Sequence, residues 1–353
     1  MKILFVNSCL CDGGAERVMT SVANEVAALG HEVKMILIRG EKEDNYALSD
    51  DIALEKYTYA SSGKVIKYFT RIRRLRREMK AGHYDYIVAF PRGIAYVVLL
   101  AALGLKEKII VSERNDPSER LKSFIKSRYE FMLYGKAYKI VFQTTQVMNM
   151  YPLKLRKKGV VIENPVHEGI PVRYEGPKEN VVVAVGRLSK QKNFPMLIEA
   201  FSKFLETHPG YRLVIYGKGD EYDNITDTAK KFNVFDVLSL PGYVSDVEKK
   251  MRTAKMYVSS SNYEGISNTM LEAMALGMTV ICTDCPVGGA AAMIEDSVNG
   301  FLVPINDADA LCKAMCRVCD DEKLAETVGL EASKIREKYS PKAIALKWLA
   351  LMK

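Results

Sequence analysis

Two glutamates, Glu264 and Glu272, are separated by seven residues around the start of a predicted helix. A strand-like run precedes a polar turn at Glu264 and Gly265, and either Ser267 or Asn268 is a suitable N-cap for the helix. Free backbone N–H groups at such a helix N-terminus attract phosphate. Because a carboxylate repels phosphate, we expect each glutamate to face neutral groups such as sugar hydroxyls. The segment therefore predicts a nucleotide-sugar site with the diphosphate at the helix end.

Two cations, Arg187 and Lys192, follow a predicted strand at residues 181–185 and lead into a predicted helix at residues 194–205. When the glycosyl bond of a nucleotide sugar breaks, negative charge develops on the leaving phosphate oxygen. Fixed cations aimed at that oxygen stabilise the transition state more than the ground state. The alternative is that both are ordinary solvated charges on a loop.

A glycine pair, Gly13 and Gly14, follows the first predicted strand and opens a helix that carries Glu16 and Arg17. Glycine at this place lets the backbone come close to a ligand at the helix N-terminus, although a simple loop glycine pair remains the alternative. The Gly-x-Gly-x-x-Gly fingerprint of dinucleotide binding is absent after this strand, which disfavours NAD as a ligand.

The spacing of Glu264 and Glu272, followed by Ala-Met-Ala-x-Gly, resembles the retaining glycosyltransferases of GT-B family 4. The matches run in order from residue 7 to about residue 310, so the resemblance covers nearly the whole chain. The other segments similar to the family are Gly186-Arg187-Leu188-Ser189-Lys190-Gln191-Lys192-Asn193, Gly13-Gly14-Ala15-Glu16-Arg17, Asn164-Pro165 and Asn299-Gly300-Phe301-Leu302-Val303-Pro304.

The resemblance implies a role for each part of these motifs. Glu272 should bind the nucleotide ribose hydroxyls and Glu264 the hydroxyls of the donor sugar, while the N-terminal glycine loop lies over the donor phosphate and sugar. The catalytic residues implied are Arg187, Lys192 and Glu264. The donor-binding residues implied are Gly13, Gly14, Gly186, Gly265, Ile266, Ser267, Asn268 and Glu272.

No metal or other cofactor is expected, because enzymes that resemble this chain generally use no bound metal. Asp307-Ala-Asp309 imitates the Asp-x-Asp of metal-dependent glycosyltransferases. It precedes a predicted helix at residues 308–319, however, where aspartate serves as an N-cap and complements the helix dipole.

The segment Ser112-Glu-Arg-Asn-Asp-Pro117 stands at the carboxyl end of a predicted strand, where many members of the family carry a histidine. Glu113, Arg114 and Asn115 are therefore the acceptor-side candidates, and the departure leaves the identity of any base in doubt. Retention of the anomeric configuration without a protein nucleophile is often attributed to attack on the same face of the sugar, assisted by the leaving phosphate. That mechanism requires no strong base.

The chain has 353 residues, a length that suggests two domains, and strand-like and helical patterns alternate throughout. This order predicts an α/β protein with parallel, doubly wound sheets, and the resemblance implies the GT-B architecture of two Rossmann-like domains facing across a cleft. We expect an acceptor-side domain at residues 1–166, a donor domain at residues 167–335, and a C-terminal segment at residues 336–353 packing back on the first domain.

The charge is uneven along the chain. Residues 1–166 carry 28 Lys and Arg against 18 Asp and Glu, a net charge of +10, and the remainder carries −2. Residues 64–80 have Val65, Ile66, Phe69, Ile72, Leu75 and Met79 near helical spacing, with basic residues on the other face. This pattern fits either a packed helix with a solvated basic side or an interfacial helix on anionic lipid. Nucleic-acid binding is disfavoured because no known binding motif is present.

No run of apolar residues is long enough for a membrane span, and residues 1–7 predict a first strand rather than a signal peptide. The seven cysteines and four histidines do not suggest a zinc site, and we expect reduced cytosolic thiols that act as small hydrophobic groups. Location in the cytoplasm, peripherally on the inner face of the cell membrane, follows as the expectation.

Together these features predict a retaining glycosyltransferase that moves a hexose or N-acetylhexosamine from a UDP-sugar to a lipid-linked or polysaccharide-precursor glycan. The segments around residues 13–17, 112–117 and 285–289 resemble those of bacterial enzymes for capsule, lipopolysaccharide or lipid-linked oligosaccharide assembly. The alternatives are a transferase with a soluble acceptor, of the sucrose- or glycogen-synthase type, a nucleotide-sugar 2-epimerase, and a non-catalytic basic binding protein.

Overall fold

The computed structural model describes residues 1–11, 13–40, 44–59, 63–114 and 116–353. These residues divide into two compact units. Unit 1 comprises Met1–Pro165 together with Pro341–Lys353, and unit 2 comprises Val166–Ser340. Each unit contains one sheet whose paired strands are all parallel, so the predicted α/β class with two doubly wound, Rossmann-like sheets is confirmed.

The strands are numbered along the chain. They are β1 (Lys2–Asn7), β2 (Glu32–Leu37), β3 (Ala53–Lys56), β4 (Tyr86–Ala89), β5 (Lys108–Glu113), β6 (Lys139–Phe142), β7 (Gly159–Val161), β8 (Glu179–Val185), β9 (Arg212–Tyr216), β10 (Leu238–Gly242), β11 (Ala254–Ser259), β12 (Thr279–Thr283) and β13 (Phe301–Val303).

The helices are numbered in the same way. They are α1 (Gly14–Ala28), α2 (Lys64–Gly82), α3 (Arg92–Ala101), α4 (Ser118–Leu121), α5 (Phe124–Tyr134), α6 (Thr145–Asn149), α7 (Leu153–Arg156), α8 (Phe194–Thr207), α9 (Tyr222–Lys231), α10 (Val247–Met251), α11 (Asn268–Ala275), α12 (Ala308–Asp320), α13 (Glu322–Ser333), α14 (Ile335–Lys338) and α15 (Pro341–Ala350).

The sheet of unit 1 has seven strands in the order β3-β2-β1-β4-β5-β6-β7. Its central strands are continuous apolar runs because helices cover both faces of a parallel sheet, and residues 3–7 of β1 are all buried. The order reverses between β1 and β4, which makes their carboxyl ends a topological switch point. The sequence missed β3 and β7, which have only four and three residues.

The sheet of unit 2 has six strands in the order β10-β9-β8-β11-β12-β13. Its switch point lies between β8 and β11, where Val183 is in register with Tyr257. The loops that follow these two strands therefore emerge side by side, although about 70 residues separate them in the sequence. Helix α8 buries Leu197, Ile198 and Phe201 against this sheet.

Helix α15 packs on α1 and belongs to unit 1. Its Trp348 is fully buried, with its ring 5.3 Å from that of Phe90 after β4. Lys347 of the same helix forms a 2.6 Å ion pair with Glu163, shortly before the chain enters unit 2. The last helix thus completes the core of the unit that the first residues begin.

Helix α2 is packed along only part of its length. Only Leu75 and Met79 of the apolar positions are buried, whereas Val65, Ile66 and Phe69 in its first turns are exposed. Of the two alternatives, the packed helix therefore describes only the second half of α2, whereas the exposed first turns are compatible with the interfacial helix.

The thiol prediction also needs one correction. Cys9 and Cys11 form a disulfide in the loop after β1, with Cα atoms 5.3 Å apart, which is within the range that disulfides span. The prediction of reduced thiols is therefore wrong for this pair. The cysteines that carry free thiols are Cys282, Cys285, Cys312, Cys316 and Cys319. Among the helices of the described chain, none has the length and apolar character needed to cross a lipid bilayer.

Candidate active site

The loops after β8 and β11 are joined by hydrogen bonds at the switch point of unit 2. The backbone N–H of Asn262 donates to the carbonyl of Gln191 at 2.8 Å, and its side-chain amide donates to the carbonyl of Lys190 at 3.0 Å. Ser260 Oγ donates to the carbonyl of Lys192 at 2.8 Å. These bonds fix the position of the first loop against the second, so the predicted cation segment and the predicted acidic segment form one site.

Lys192 and Glu264 are in direct contact within this site. Lys192 Nζ lies 2.6 Å from Glu264 Oε2, and both side chains are largely shielded from solvent. The same oxygen accepts from Gln191 Nε2 at 3.3 Å and from Ser261 Oγ at 3.3 Å. The carboxylate is thus held by one cation and two neutral donors at the edge of the sheet. Sequence reasoning missed Gln191 and Ser261, because nothing in their spacing distinguishes them from ordinary loop residues.

The turn at Glu264 and Gly265 rests on a third loop, after β12. Gly289 N–H donates to the carbonyl of Glu264 at 3.3 Å, and Glu264 N–H donates to the carbonyl of Pro286 at 3.4 Å. A Cβ atom on Gly289 would lie only 1.8 Å from the carbonyl oxygen of Gly265. This close approach requires glycine, and it sets the height of the Glu264 turn above the sheet.

Helix α11 begins at this turn. Ser267 is its N-cap and accepts from the backbone N–H of Met270 at 3.4 Å, which decides between the two predicted caps. Ile266 precedes the cap and is buried, and Asn268 is the first residue of the helix. Glu272 is the fifth residue of α11 and is only 2 % exposed, so its side chain lies within the protein rather than on an open surface.

Arg187 is exposed on the loop that follows β8. The loop is anchored by Gly186 N–H, which donates to the carbonyl of Tyr216 at 2.9 Å, and by Leu188 N–H, which donates to the carbonyl of Lys218 at 3.0 Å. A Cβ atom on Gly217 would collide with the carbonyl of Gly186. The backbone that carries Arg187 is therefore held while its guanidinium is accessible to an anion.

The Asp307-Ala-Asp309 segment acts as the sequence predicted. Asp307 caps α12 by accepting from Ala310 N–H at 2.8 Å, and Asp309 forms a 2.7 Å ion pair with Lys203. Within the described ranges of the chain, no group of three or more His, Cys, Asp or Glu side chains has a geometry that could hold a metal ion.

The glycine loop lies in unit 1, at the carboxyl end of β1. Gly13 N–H donates to the Tyr46 hydroxyl at 3.2 Å, and Gly14 is the first residue of α1. Glu16 accepts from Ser8 Oγ at 3.0 Å, and a Cβ atom on Gly13 would collide with its carboxylate. The first glycine therefore leaves the space that the Glu16 carboxylate occupies over the helix start.

Two of the acceptor-side candidates, Glu113 at the end of β5 and Arg114 after it, are buried. Glu113 pairs with Arg120 at 3.0 Å, and the same guanidinium also pairs with Glu130. The Tyr151 hydroxyl lies 3.0 Å from Glu113 Oε2 and 2.6 Å from Glu130 Oε1. Desolvation of the buried side chain raises the pKa of Tyr151, and the nearby Glu113 carboxylate raises it further. Glu113 is thus part of an internal network that positions the segment after β5.

Arg114 is 8 % exposed and donates to Ser112 Oγ and to Asn164 Oδ1, each at 2.7 Å. Its guanidinium lies 4.8 Å from the Phe90 ring centroid and 5.8 Å from that of Trp348. Burial lowers its pKa to about 9, because desolvation penalises the charged form. Asn115, the third candidate, lies outside the described residues.

Comparison with known proteins gives family matches over both units. Residues 171–335 match the family described as glycosyl transferases group 1, and residues 12–168 match Glycosyltransferase Family 4. The chain is 25% identical over 362 residues to a relative from Campylobacter jejuni, with 100% of this chain and 98% of the relative covered. That relative is named GalNAc-α-(1→4)-GalNAc-α-(1→3)-diNAcBac-PP-undecaprenol α-1,4-N-acetyl-D-galactosaminyltransferase.

Two solved structures share the fold along nearly their whole length. HepE from Anabaena, solved in complex with UDP, has a TM-score of 0.81 at 18% identity, with 99% of each chain covered. Sucrose-phosphate synthase from Thermosynechococcus elongatus has a TM-score of 0.84 at 19% identity, with 99% of this chain and 98% of that chain covered. The chain is therefore a GT-B glycosyltransferase of the family 4-like group.

Proposed function

We propose that this glycosyltransferase moves a hexose or N-acetylhexosamine from a UDP-sugar, with retention, to a lipid-linked or polysaccharide-precursor glycan. The observation that carries the donor half of the proposal is the contact between Lys192 and Glu264 beside the start of α11. One ligand that presents a diphosphate next to sugar hydroxyls would satisfy the cation, the carboxylate and the positive end of the α11 helix dipole together.

The charge arrangement supports direct use of protein cations during bond cleavage. Arg187 is exposed, and Lys192 lies on the same loop with its ammonium group turned towards the acidic segment. As the glycosyl bond breaks, the leaving diphosphate gains charge that these cations would balance. We therefore propose that no metal ion is needed. Transfer should survive EDTA, and loss of activity on chelation that Mg²⁺ or Mn²⁺ restores would contradict this part of the proposal.

The retaining outcome is proposed from the carboxylates of the site. Glu264 carries a cation and two neutral donors, an arrangement suited to holding sugar hydroxyls rather than to attacking carbon. Glu113 is engaged in an ion pair with Arg120 inside unit 1. Attack on the same face, with the leaving phosphate accepting the acceptor proton, needs no further base and is compatible with both observations.

The proposed acceptor class rests on the relatives and on charge. The Campylobacter relative is named for transfer to an undecaprenol-diphosphate glycan, and residues 1–166 of this chain carry a net charge of +10. An enzyme that works peripherally at the cytoplasmic membrane face would benefit from such a surplus near anionic lipid. A soluble acceptor is the second candidate, and the observation that supports it is the similarity to sucrose-phosphate synthase.

A thermal-shift panel of UDP-, GDP- and ADP-sugars tests the donor half directly. We expect UDP-sugars to raise the melting temperature and the other nucleotides to have little effect. No shift with any nucleotide sugar would favour a non-catalytic basic binding protein. Isomerisation of the donor without an acceptor would indicate an epimerase. Transfer of labelled sugar to polyprenyl-diphosphate glycans, compared with sucrose-type acceptors such as fructose 6-phosphate, then separates the two acceptor classes.

A further inference from the structure

The exposed stripe of α2 changes character along its length. Val65, Ile66 and Phe69 are each more than 60 % exposed in the first turns of the helix. The same stripe continues with Arg73 and Arg77, which are exposed about one and two turns later. The exposed face of α2 therefore begins with apolar side chains and ends with cations. A helix that packed all its apolar residues within its own unit would have these apolar side chains buried.

Helix α5 presents a second apolar surface that the sequence analysis did not single out. Phe124 and Ile125 are 73 % and 81 % exposed in its first turn, and Met132 is exposed two turns further on. Lys126 and Arg128 stand on the same exposed side, and the Arg128 guanidinium lies 5.5 Å from the centre of the Phe124 ring.

The two surfaces are neighbours. Tyr68 of α2 lies near Tyr129 of α5: burial, and then the neighbouring Tyr129, raises the pKa of Tyr68 to about 12. Tyr96 of α3 packs edge-on against Tyr129 with ring centroids 5.6 Å apart. Phe69 directly follows Tyr68, and Ile125 and Met132 lie about one turn on either side of Tyr129. We call these six exposed apolar residues the α2–α5 patch: Val65, Ile66, Phe69, Phe124, Ile125 and Met132.

Not all the arginines of α2 are available to a partner. Arg74 lies 3.9 Å above the Tyr57 ring and pairs with Glu55 at 3.2 Å. Arg76 donates to the carbonyls of Ala101 and Leu103, each at 2.6 Å, at the end of α3. These two side chains have structural partners within unit 1. The cations that border the α2–α5 patch are Arg73, Arg77, Lys126 and Arg128.

We propose that the α2–α5 patch inserts into the interfacial layer of an anionic lipid leaflet, with its bordering cations on the headgroups. Six bulky apolar side chains exposed on two neighbouring helices, accompanied by exposed cations, are features of an interaction site. The combination of bulky apolar tips and Lys or Arg is the one that interfacial membrane helices use. The inference rests on the proposed function only in that a lipid-linked acceptor provides a reason to contact the membrane.

The two components predict different responses to salt. Attraction between the cations and headgroups is screened when the Debye length falls to about 3 Å at about 1 M salt, whereas apolar insertion is not. We expect flotation with vesicles of phosphatidylcholine and phosphatidylglycerol to weaken in high salt but to leave a measurable bound fraction. Vesicles of phosphatidylcholine alone should bind more weakly than the mixed vesicles at low salt.

Matched variants then separate the components. Phe69→Ser with Ile125→Ser should lower the vesicle partition coefficient about tenfold or more and abolish the salt-resistant fraction. Arg73→Gln with Arg77→Gln should lower binding at low salt only. Val172→Ser, a change at a 77 % exposed apolar residue of unit 2, should bind like wild type.

Melting temperature and UDP affinity, measured on every variant, separate this inference from the proposed function. Intact UDP binding with vesicle binding unaffected by the Phe69 and Ile125 changes would overturn the patch alone. So would a wild-type dimer that becomes monomeric in that variant, because the surface would then be a contact between two copies of the chain. Failure of the wild-type protein to bind UDP would contradict the proposed donor site. The vesicle measurements would still test the α2–α5 patch independently.

Discussion

Lys192 Nζ and Glu264 Oε2 lie 2.6 Å apart, although 72 residues separate them in the chain. Before any ligand arrives, the cation proposed for the diphosphate is therefore paired with the carboxylate proposed for the sugar. A bound diphosphate has to draw Lys192 away from Glu264 or share it. This ion pair couples the energetics of diphosphate binding at Lys192 to those of sugar binding at Glu264. Neither residue considered alone would indicate such coupling.

This dependence predicts opposite effects for the two glutamates. Glu264→Gln removes the partner that competes for Lys192, so UDP affinity should stay the same or rise by up to about fivefold, the scale of a partly exposed ion pair. Turnover of the UDP-sugar should fall about ten- to a hundredfold, because a charged hydrogen-bond acceptor for the sugar is lost. Glu272→Gln should instead weaken UDP itself by about tenfold or more. Titration calorimetry with UDP compares the two, and equal losses in both variants would contradict the division of roles.

The cations should act mainly on the chemical step. Lys192→Ala and Arg187→Ala should each lower kcat more than they raise KM, since the charge they balance grows in the transition state. We expect a cost of about 3 kcal/mol, or roughly a hundredfold, for each. Lys190→Ala, an exposed lysine on the same loop, is the matched control and should be near wild type. If all three variants turned over alike, Arg187 and Lys192 would be ordinary surface charges.

Gly289 should be intolerant of a side chain. In Gly289→Ala the new methyl group would lie 1.8 Å from the Gly265 carbonyl oxygen, so the Glu264 turn must move. We expect an overpacking cost of about 1–3 kcal/mol in unfolding and a large loss of UDP-sugar turnover. Gly93→Ala is the control, because no heavy atom lies within 4 Å of its Cβ position. Calorimetric melting measures the first effect and a UDP-sugar turnover assay the second, and wild-type behaviour of Gly289→Ala in both would mean that the two loops do not touch.

Lys178 predicts a pH dependence of stability in unit 2. Desolvation, followed by repulsion from Arg173 and Arg252, lowers its pKa from 10.5 to about 8. Between pH 8 and pH 10.5 the unfolded chain therefore binds more protons at this site than the folded chain, so the contribution of Lys178 to stability rises with pH in that window. Below pH 8 the penalty of the buried charge is fully present.

The variant Lys178→Met tests this sign. It should melt higher than wild type at pH 7, and the difference should shrink as the pH approaches 10.5. Lys342→Met, an exposed lysine in unit 1, controls for the loss of a positive charge as such. A difference from wild type that stays constant from pH 7 to pH 10.5 would mean that Lys178 is not perturbed.

Several features of the site could be predicted from the sequence because they depend on local order. The N-cap at Ser267, the helix after it and the loop after β8 each follow from neighbouring residues. Contacts across the chain could not be predicted. Nothing near Gln191 or Glu113 in the sequence indicates that the first bonds Glu264 or that the second meets Arg120 and Glu130.

The partial burial of α2 could not be predicted for a similar physical reason. Helical periodicity groups Val65, Ile66 and Phe69 with Leu75 and Met79, and it describes which residues share a face. It carries no information about how far the neighbouring elements extend beneath that face. Burial depends on those elements, so the periodic pattern alone could not decide between the packed and the interfacial alternatives.

The return of α15 to unit 1 has a consequence for how the chain is made. Trp348 packs against Phe90, so unit 1 lacks part of its core until Pro341–Lys353 has been synthesised. Unit 2 is complete at Ser340. During translation the second unit therefore has all its residues before the first does, which inverts the usual N-terminal-first order of domain folding. Until the last helix has left the ribosome, the position beside Phe90 that Trp348 fills in the complete unit remains unfilled.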